Sequence, residues 1–295
     1  MIRVAIGGLG LSATWEALQA PGWDEARLAQ LQTDWEQFHA VEALERAVLG
    51  ERAMNQSIMA WVRTASGQEF DKTMRLWNGS TKTNGSLLTS FATLWRTHVL
   101  HTAYKIGGVN ADEMTQLEYY EESLNGIRRL RAGEGYAELG NAASNAVIAL
   151  DKKMSQDRWH RLRLTAMIVP NLSRAMDTAV QNETQCRLTV TAIAIKRYEL
   201  KHGSPPAELS ALVPEFLAAV PIDPMSGKAL RYALKAGAGF ALYSTGLDGI
   251  DNGGDAAAVT ATKTGWWTGK DAVWPAVATD EESANFLRTQ SKQPK

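Results

Sequence analysis

The sequence predicts an α+β protein, in which a mostly α-helical N-terminal bundle is followed by a long helix leading into a small antiparallel β-hairpin or sheet. Apolar residues recur at three- and four-residue steps through most of the first two thirds of the chain. No strand pattern appears before residue 229, and two short alternating runs follow it. We therefore predict a helical region at residues 1–170 and an α+β region at residues 171–295.

Length and composition are those of an ordinary globular protein. The chain has 295 residues, of which 45% are hydrophobic and 21% charged, and it can bury a sizeable core. Its net charge of -1 argues against a general nucleic-acid binder, which is usually basic, so we expect no nucleic-acid partner. The only cysteine, Cys186, excludes an internal disulfide framework, and we expect it to be packed rather than nucleophilic.

Apolar stripes and breakers predict the helices of the first region. Pro21-Gly22 precedes a helix with Asp24 and Glu25 in its first turn, where acidic residues are favourable. Ser66-Gly67 ends this helical pattern, residues 69–77 hold another short turn, and residues 78–85 and 133–140 are predicted loops. Two further apolar stripes predict helices over residues 87–104 and 112–130.

A long amphipathic helix is predicted from Asn171 or Gln181 to His202. Its apolar face is formed by Leu188, Ala192, Ile195 and Tyr198. Gly203 is a typical left-handed stop, and Pro205-Pro206 prevent the helix from continuing. Residues 229–234 and 240–244 then form the predicted hairpin, with residues 235–239 as its turn.

The loop that follows the hairpin is a candidate calcium site. Its acidic and amide side chains are Asp248, Asp251, Asn252 and Asp255, and four glycines lie among them. Calcium takes carboxylate and carbonyl oxygens from flexible loops, and glycine lets a chain fold tightly around the ion. The alternative is a solvated turn, because Asp, Asn and Gly all favour turns and the loop does not match the EF-hand template.

Turn residues and aromatics in this region occur in a distinctive order. They are Tyr198, Gly203, Pro205, Leu209, Pro221, Asp223, Pro224, Gly227, Tyr232, Tyr243, Ser244, Gly246, Asp248 and Gly249. In this order the last third of the chain resembles the globular half of the major pseudopilin of type II secretion, a type IV pilin-like protein. The resemblance implies a pilin-like C-terminal end, a calcium-binding acidic loop and a role in assembly at the cell envelope.

The chain departs from the pseudopilin pattern in two places. The family's processing site and apolar half-helix would lie upstream of the long helix, where residues 139–185 are polar and helical. The family's loop ends in consecutive aspartates, whereas this loop ends in Gly253-Gly254-Asp255. Because the apolar half-helix forms the filament core in the family, its loss argues against polymerisation.

The whole chain is closer to a group of uncharacterised bacterial proteins common in the Planctomycetes and Verrucomicrobia lineages. These proteins carry a helical region, a "YSVG.DG.DDGG" segment and a later "DWVWP" segment, which residues 271–275 (DAVWP) match. They usually have a membrane anchor upstream. No stretch of this sequence reaches the roughly 18 apolar residues of a membrane span. We therefore expect a protein that is soluble as given, and a native form that is anchored upstream of Met1 and faces the periplasm.

No catalytic residue is predicted. His98 and His101 lie three residues apart on one helical side, as zinc ligands can, but no nearby Cys, Asp or Glu completes a set. The nucleophile-elbow, phosphate-loop and HExxH motifs are missing from the sequence. We expect packed or surface histidines.

Tryptophans after the loop, Trp266, Trp267 and Trp274, are expected to pack against the otherwise uncovered face of the sheet. The alternative is an exposed recognition patch.

These observations favour a non-enzymatic cell-envelope protein with a binding or assembly role, a protein partner and a candidate structural calcium. One alternative is a hydrolase with a site in the helical region, which a cleft joining His98, His101 and acidic side chains would favour. The other is a helical scaffold that presents the pilin-like end to another protein, which an exposed tryptophan patch would favour.

Overall fold

The structure is a computed structural model that describes residues 10, 13–77, 95–156, 164, 165, 169, 172–235, 239–257, 267 and 270–275. The predicted loop at residues 78–85, residues 87–94 of the next predicted helix and Trp266 lie outside these ranges. So does the short C-terminal helix that the sequence predicts from Thr279.

The chain divides into two compact units, each built from separate stretches of sequence. The first comprises Met1–Val41, Ala132–Glu138 and Thr178–Lys295, and the second comprises Glu42–Arg131 and Leu139–Asp177. Both units draw residues from either side of the domain boundary predicted between residues 170 and 171, which stays a prediction.

The fold is α+β, as predicted, with helices dominating the chain up to residue 202. The α-helices are α1 (Glu25–Glu36), α2 (Ala40–Thr64), α3 (Gly67–Trp77), α4 (His101–Gly107), α5 (Val109–Arg131), α6 (Tyr136–Ser155) and α7 (Leu172–His202). A π-helical segment, Trp95–Leu100, runs directly into α4. None of the helices in the described ranges is both long and apolar enough to cross a membrane.

Helix α3 begins with a capping box. Ser66 and Glu69 bond each other's backbone amides, at 2.8 Å from Ser66 N to Glu69 and 3.3 Å from Glu69 N to Ser66. Residues 69–77 therefore belong to a full helix of 11 residues rather than to the short turn that the sequence predicted.

A buried carboxylate organises the second unit. Asp112, at the start of α5, accepts hydrogen bonds from Tyr104 Oη at 2.5 Å, Leu164 N at 2.8 Å and Thr165 N at 2.9 Å. The apolar cluster of this unit contains Met59, Val62, Phe70, Tyr104, Val109 and Leu164. Two of these donors, the amides of residues 164 and 165, lie about 50 residues from Asp112 in sequence. Their hydrogen bonds therefore hold residues 164 and 165 beside the apolar cluster.

Helix α7 confirms the predicted long helix, although it is less amphipathic than expected. Leu188, Ala192 and Ile195 are buried as predicted, but Thr184, Thr189 and Thr191 are fully buried too. Each threonine hydroxyl donates to the carbonyl four residues earlier, at 2.6 to 2.9 Å. This internal satisfaction lets polar residues lie in the protein interior.

The sheet of the first unit has three antiparallel strands in the order β1 (Arg231–Lys235), β2 (Gly239–Ser244) and β3 (Ala272–Val273). The first two form the predicted hairpin, and β3 pairs with the end of β2 through Tyr243–Val273 and Ser244–Ala272. A 3₁₀ turn, Leu209–Leu212, lies in the connection from α7.

One apolar core holds α1, α7 and the sheet together. It contains Leu18, Leu28, Leu188, Ala192, Ile193, Ala194, Ile195, Leu209, Leu212, Phe216, Leu217, Leu230, Leu242 and Trp274. Trp274 is 8% exposed and its backbone amide donates to Leu242 O at 2.8 Å. The predicted packing of Trp274 is thereby confirmed, and Trp267 is half-buried.

Candidate functional site

The Asp/Gly loop, residues 245–255, begins where β2 ends and is held at its start by the buried carboxylate of Asp223. This side chain is 1% exposed. It accepts hydrogen bonds from Ser244 Oγ at 2.7 Å, Thr245 N at 3.2 Å, Met225 N at 3.0 Å and Ser226 Oγ at 3.0 Å. Asp223 therefore joins the turn before β1 to the loop after β2.

The far end of the loop is held by a second buried carboxylate, Asp271, which is also 1% exposed. Its oxygens accept from the backbone amides of Asn252 at 3.1 Å, Gly254 at 2.8 Å and Asp255 at 3.1 Å. The backbone amide of Asp271 in turn donates to Asp255 O at 3.0 Å. The loop thus directs N–H groups, rather than carbonyl oxygens, at the carboxylate that it encloses.

Asp251, a predicted calcium ligand, already has several partners. It accepts from Gly253 N at 3.0 Å and Tyr243 Oη at 3.1 Å, and its other oxygen pairs with Arg231 at 2.9 Å. The Gly253 amide, Tyr243 and Arg231 together lower the pKa of Asp251. Burial and the Asp251 charge raise the pKa of the Tyr243 hydroxyl.

Asp255, a second predicted ligand, forms an ion pair with Lys270 at 2.8 Å and accepts from Ala257 N at 2.9 Å. These partners, Lys270 first, lower the pKa of the Asp255 carboxyl.

The other two predicted ligands make local turns. Asp248 is exposed and accepts from Ile250 N at 3.0 Å, and the Asn252 amide nitrogen donates to Ile250 O at 3.0 Å. Within the described ranges, no three His, Cys, Asp or Glu side chains converge in a metal-binding arrangement. Calcium binding by the loop stays a prediction.

Two glycines permit the loop to approach its neighbours closely. Gly246 and Gly249 both have φ of +69°, which disfavours other residues. A Cβ at Gly246 would lie 2.5 Å from Lys270 O, and one at Gly249 would lie 2.5 Å from Ala137 Cβ. Gly203 and Gly227 also have positive φ, at 80° and 68°. Backbone conformation therefore explains all four glycines that match the pseudopilin order.

The first turn of α6 docks on the turn that contains Asp223. Tyr136 N and Ala137 N donate to Pro224 O and Met225 O, each at 2.9 Å. These bonds satisfy the first free amides of α6, which begins at Tyr136 and not after Gly140. The loop predicted at residues 133–140 was therefore wrong for residues 136–140.

The loop tip, Leu247–Ile250, points apolar side chains to solvent. Leu247 is 40% exposed and Ile250 is 59% exposed, on either side of the exposed Asp248. Asp223 and Asp271 hold the backbone at both ends of the loop. The side chains of Leu247 and Ile250 are therefore already in place for a partner, and little conformational entropy would be lost on binding.

The two histidines with zinc-like spacing lie in different environments. His98 is exposed, whereas His101 is 4% exposed and its ring lies 4.9 Å from the ring of Phe70. Neither takes part in a metal-binding group among the residues that the structure describes.

Cys186 is packed, as predicted. Its thiol is 3.1 Å from Trp35 O, and burial raises its pKa to about 12, so the reactive thiolate is disfavoured.

Sequence reasoning missed the roles of Asp223 and Asp271. Both are aspartates next to a proline or an apolar pair, in Pro221–Pro224 and in Asp271–Pro275, and not within the acidic loop itself. The usable signal was an acidic residue among apolar and proline residues, because such a residue needs hydrogen-bond donors when it is buried.

The chain was also compared with known proteins. No protein-family model matches it, and neither a curated protein nor a solved structure matches it significantly.

Proposed function

We propose that the chain is a protein-binding component of the bacterial cell envelope, and that its C-terminal region works as a pseudopilin-like module. The observation that carries this proposal is the Asp223 carboxylate, which bonds Ser244 and Thr245. Asp223 and Ser244 come from two separate segments of the pseudopilin order, and they meet in one buried hydrogen-bond set. Chance similarity between turn residues would not require the two segments to bond each other.

The order of elements gives further support. A 31-residue helix ends at Gly203, passes through a proline-containing connection and leads into an antiparallel sheet followed by the Asp/Gly loop. This order is the one that the resemblance implies for a pilin-like end.

The recognition surface in this proposal is the loop tip. Leu247 and Ile250 are large aliphatic side chains, and burying such a side chain in a partner contributes about 1.5–3 kcal/mol. A backbone already fixed by Asp223 and Asp271 loses little conformational entropy on binding, so more of this energy remains as affinity. Asp248, exposed between them, favours a partner with a Lys or Arg beside an apolar pocket.

Photo-crosslinking in the native host tests the proposal. A photoreactive amino acid is placed in the full-length protein at position 247 or 250, and at Leu200 of α7, which is comparably exposed at 48%, as a control. We expect one discrete envelope protein to crosslink from positions 247 and 250, but not from position 200. Recovery of the protein in the cytoplasmic fraction, or the same crosslinks from all three positions, would contradict the proposal.

A structural calcium in the loop is a second part of the proposal, with Asp248, Asp251, Asn252 and Asp255 as ligands. The ion would compete with Arg231 for Asp251 and with Lys270 for Asp255, which favours weak and salt-sensitive binding. Thermal unfolding with and without millimolar calcium, beside Asp248→Ala, tests this. Calcium at a hundredfold excess over Kd stabilises by about 2.7 kcal/mol, and the variant should lose this gain. The same melting temperature with and without calcium would exclude the site.

A further inference from the structure

His101 is a buried histidine in the second unit, at the first position of α4. It is 4% exposed, and its ring lies 4.9 Å from the Phe70 ring at an interplanar angle of 37°. Phe70 and Tyr104, which neighbour it, belong to the apolar cluster of that unit. The imidazole therefore lies where an aliphatic or aromatic side chain would be expected.

The Nε2 atom of His101 has no hydrogen-bond partner although it is buried. In the neutral imidazole this leaves one polar atom without a hydrogen bond, which destabilises the folded state only modestly. A protonated imidazole carries a donor on both nitrogens and a full charge, which an apolar contact tolerates far less.

A fixed positive charge lies one helical turn away. Lys105 Nζ donates to Ala65 O at 3.2 Å, so its ammonium is held beside the start of α3. Because His101 and Lys105 are four residues apart on α4, a second positive charge at His101 would be repelled.

The acidic groups on the packed elements are committed elsewhere. On α3, Asp71 pairs with Arg75 at 2.7 Å, and Asp112 of α5 bonds Tyr104 and the amides of residues 164 and 165. Arg63 of α2 pairs with Glu113. Within the described part of the chain, no carboxylate is positioned as a counter-ion for a protonated His101.

The first residue of α3 also lies very close to the π-helical segment that precedes His101. A Cβ on Gly67, the first residue of α3, would lie 1.7 Å from Thr97 O in the π-helical segment. A π-helical turn is a rare conformation that often marks functional or strained sites. The close approach at Gly67 makes the contact of α3 with the π-helical segment dependent on tight packing.

We propose that His101 is a pH-sensitive switch, and that protonation of its imidazole opens the π-helical segment and α4 away from Phe70 of α3. Burial, reinforced by Lys105, lowers the pKa of His101 in the closed form below its usual value of 6.5. In the open form the imidazole is solvated and takes up its proton near pH 6.5. The open form therefore binds more protons below this pH, and the closed form loses stability as the pH falls.

One extra proton on the open form changes the opening constant by at most about tenfold for each pH unit. The effect begins near pH 6.5, reaches its full slope about one pH unit lower, and ends at the lowered pKa of the closed form. Above pH 6.5 both forms are neutral at His101, and the contact stays closed.

Hydrogen exchange of residues 95–107, measured in the full chain and corrected for intrinsic rates, tests the switch. In the wild type we expect the opening constant to rise by up to about fivefold from pH 6.5 to pH 5.5, because half of the open form is already protonated at pH 6.5. His101→Phe keeps a ring against Phe70 and should remove this rise. His98→Gln, at the neighbouring exposed histidine, should behave as the wild type.

An NMR titration of the wild-type imidazoles covers the case in which His101→Phe does not fold. We expect the His101 ring to stay neutral in the closed form below pH 6.5, because burial and Lys105 lower its pKa. A pH dependence of exchange that persists in His101→Phe would overturn the proposal. So would a His101 that titrates near pH 6.5 without any change in protection.

Discussion

Replacing Asp271, the buried carboxylate that holds the far end of the loop, by alanine should destabilise the first unit more than replacing an exposed aspartate of the loop. The carboxylate accepts hydrogen bonds from three backbone amides, those of Asn252, Gly254 and Asp255. A hydrogen bond to a charged acceptor contributes about 1.5–3 kcal/mol, and each amide left buried without an acceptor adds a penalty. Burial of the carboxylate itself offsets part of this sum. We therefore expect Asp271→Ala to lower the free energy of unfolding by about 3 kcal/mol.

The assay is equilibrium urea unfolding at pH 7, followed by circular dichroism, with Asp248→Ala as the matched control. Asp248 is also a loop aspartate, but it is exposed and accepts from a single amide, that of Ile250. Its replacement should lower the free energy of unfolding by less than about 1 kcal/mol. A wild-type midpoint in Asp271→Ala, or equal losses in the two variants, would refute the argument that Asp271 holds the loop.

Two further predictions concern backbone conformation and acid stability. Gly246→Ala should destabilise by about 2–3 kcal/mol in urea unfolding, because its φ is +69° and its Cβ would lie 2.5 Å from Lys270 O. Gly50→Ala, on an open face of α2, should instead stabilise by about 0.5–1 kcal/mol, and a loss at this position would contradict the reasoning. Hydrogen bonds from Arg131 and Arg128 lower the pKa of Glu45, so its contribution is present above pH 4.5 and disappears as the pH falls below it. In Glu45→Gln the free energy of unfolding should therefore fall less steeply than in the wild type as the solution is acidified. An equally steep fall in both proteins would count against this role of Glu45.

The long helix and the hairpin could be predicted because local signals and tertiary packing agree there. Helix α7 ends just before Gly203 and the two prolines, where the sequence predicts its end. The alternation of residues at 240–244 likewise predicts the strand that pairs with β1. Helix α3 could also have been recognised, because Ser66 and Glu69 have the spacing of a capping box. The prediction gave more weight to Gly67 as a breaker.

The remaining differences have causes that sequence patterns do not contain. Helix α6 begins early because Tyr136 and Ala137 donate to carbonyls of Pro224 and Met225, nearly 90 residues later in the chain. The short strand β3 exists through pairing with β2 and has only two residues of its own.

The loop was predicted as a candidate metal site because its composition suits calcium. Its partners Asp223 and Asp271 lie outside it in sequence. Only the folded chain shows that N–H groups of the loop bond these carboxylates.

Amide hydrogen exchange of the Asp/Gly loop, measured by NMR in calcium-free buffer, tests whether Asp223 and Asp271 hold the loop without metal. We expect protection without metal at the amides of Thr245, Asn252, Gly254 and Asp255, because they donate to Asp223 and Asp271. Protection at Asn252, Gly254 and Asp255 should disappear in Asp271→Ala. Amides that become protected only when calcium is added would show instead that the metal orders the loop, and that the two carboxylates do not hold it.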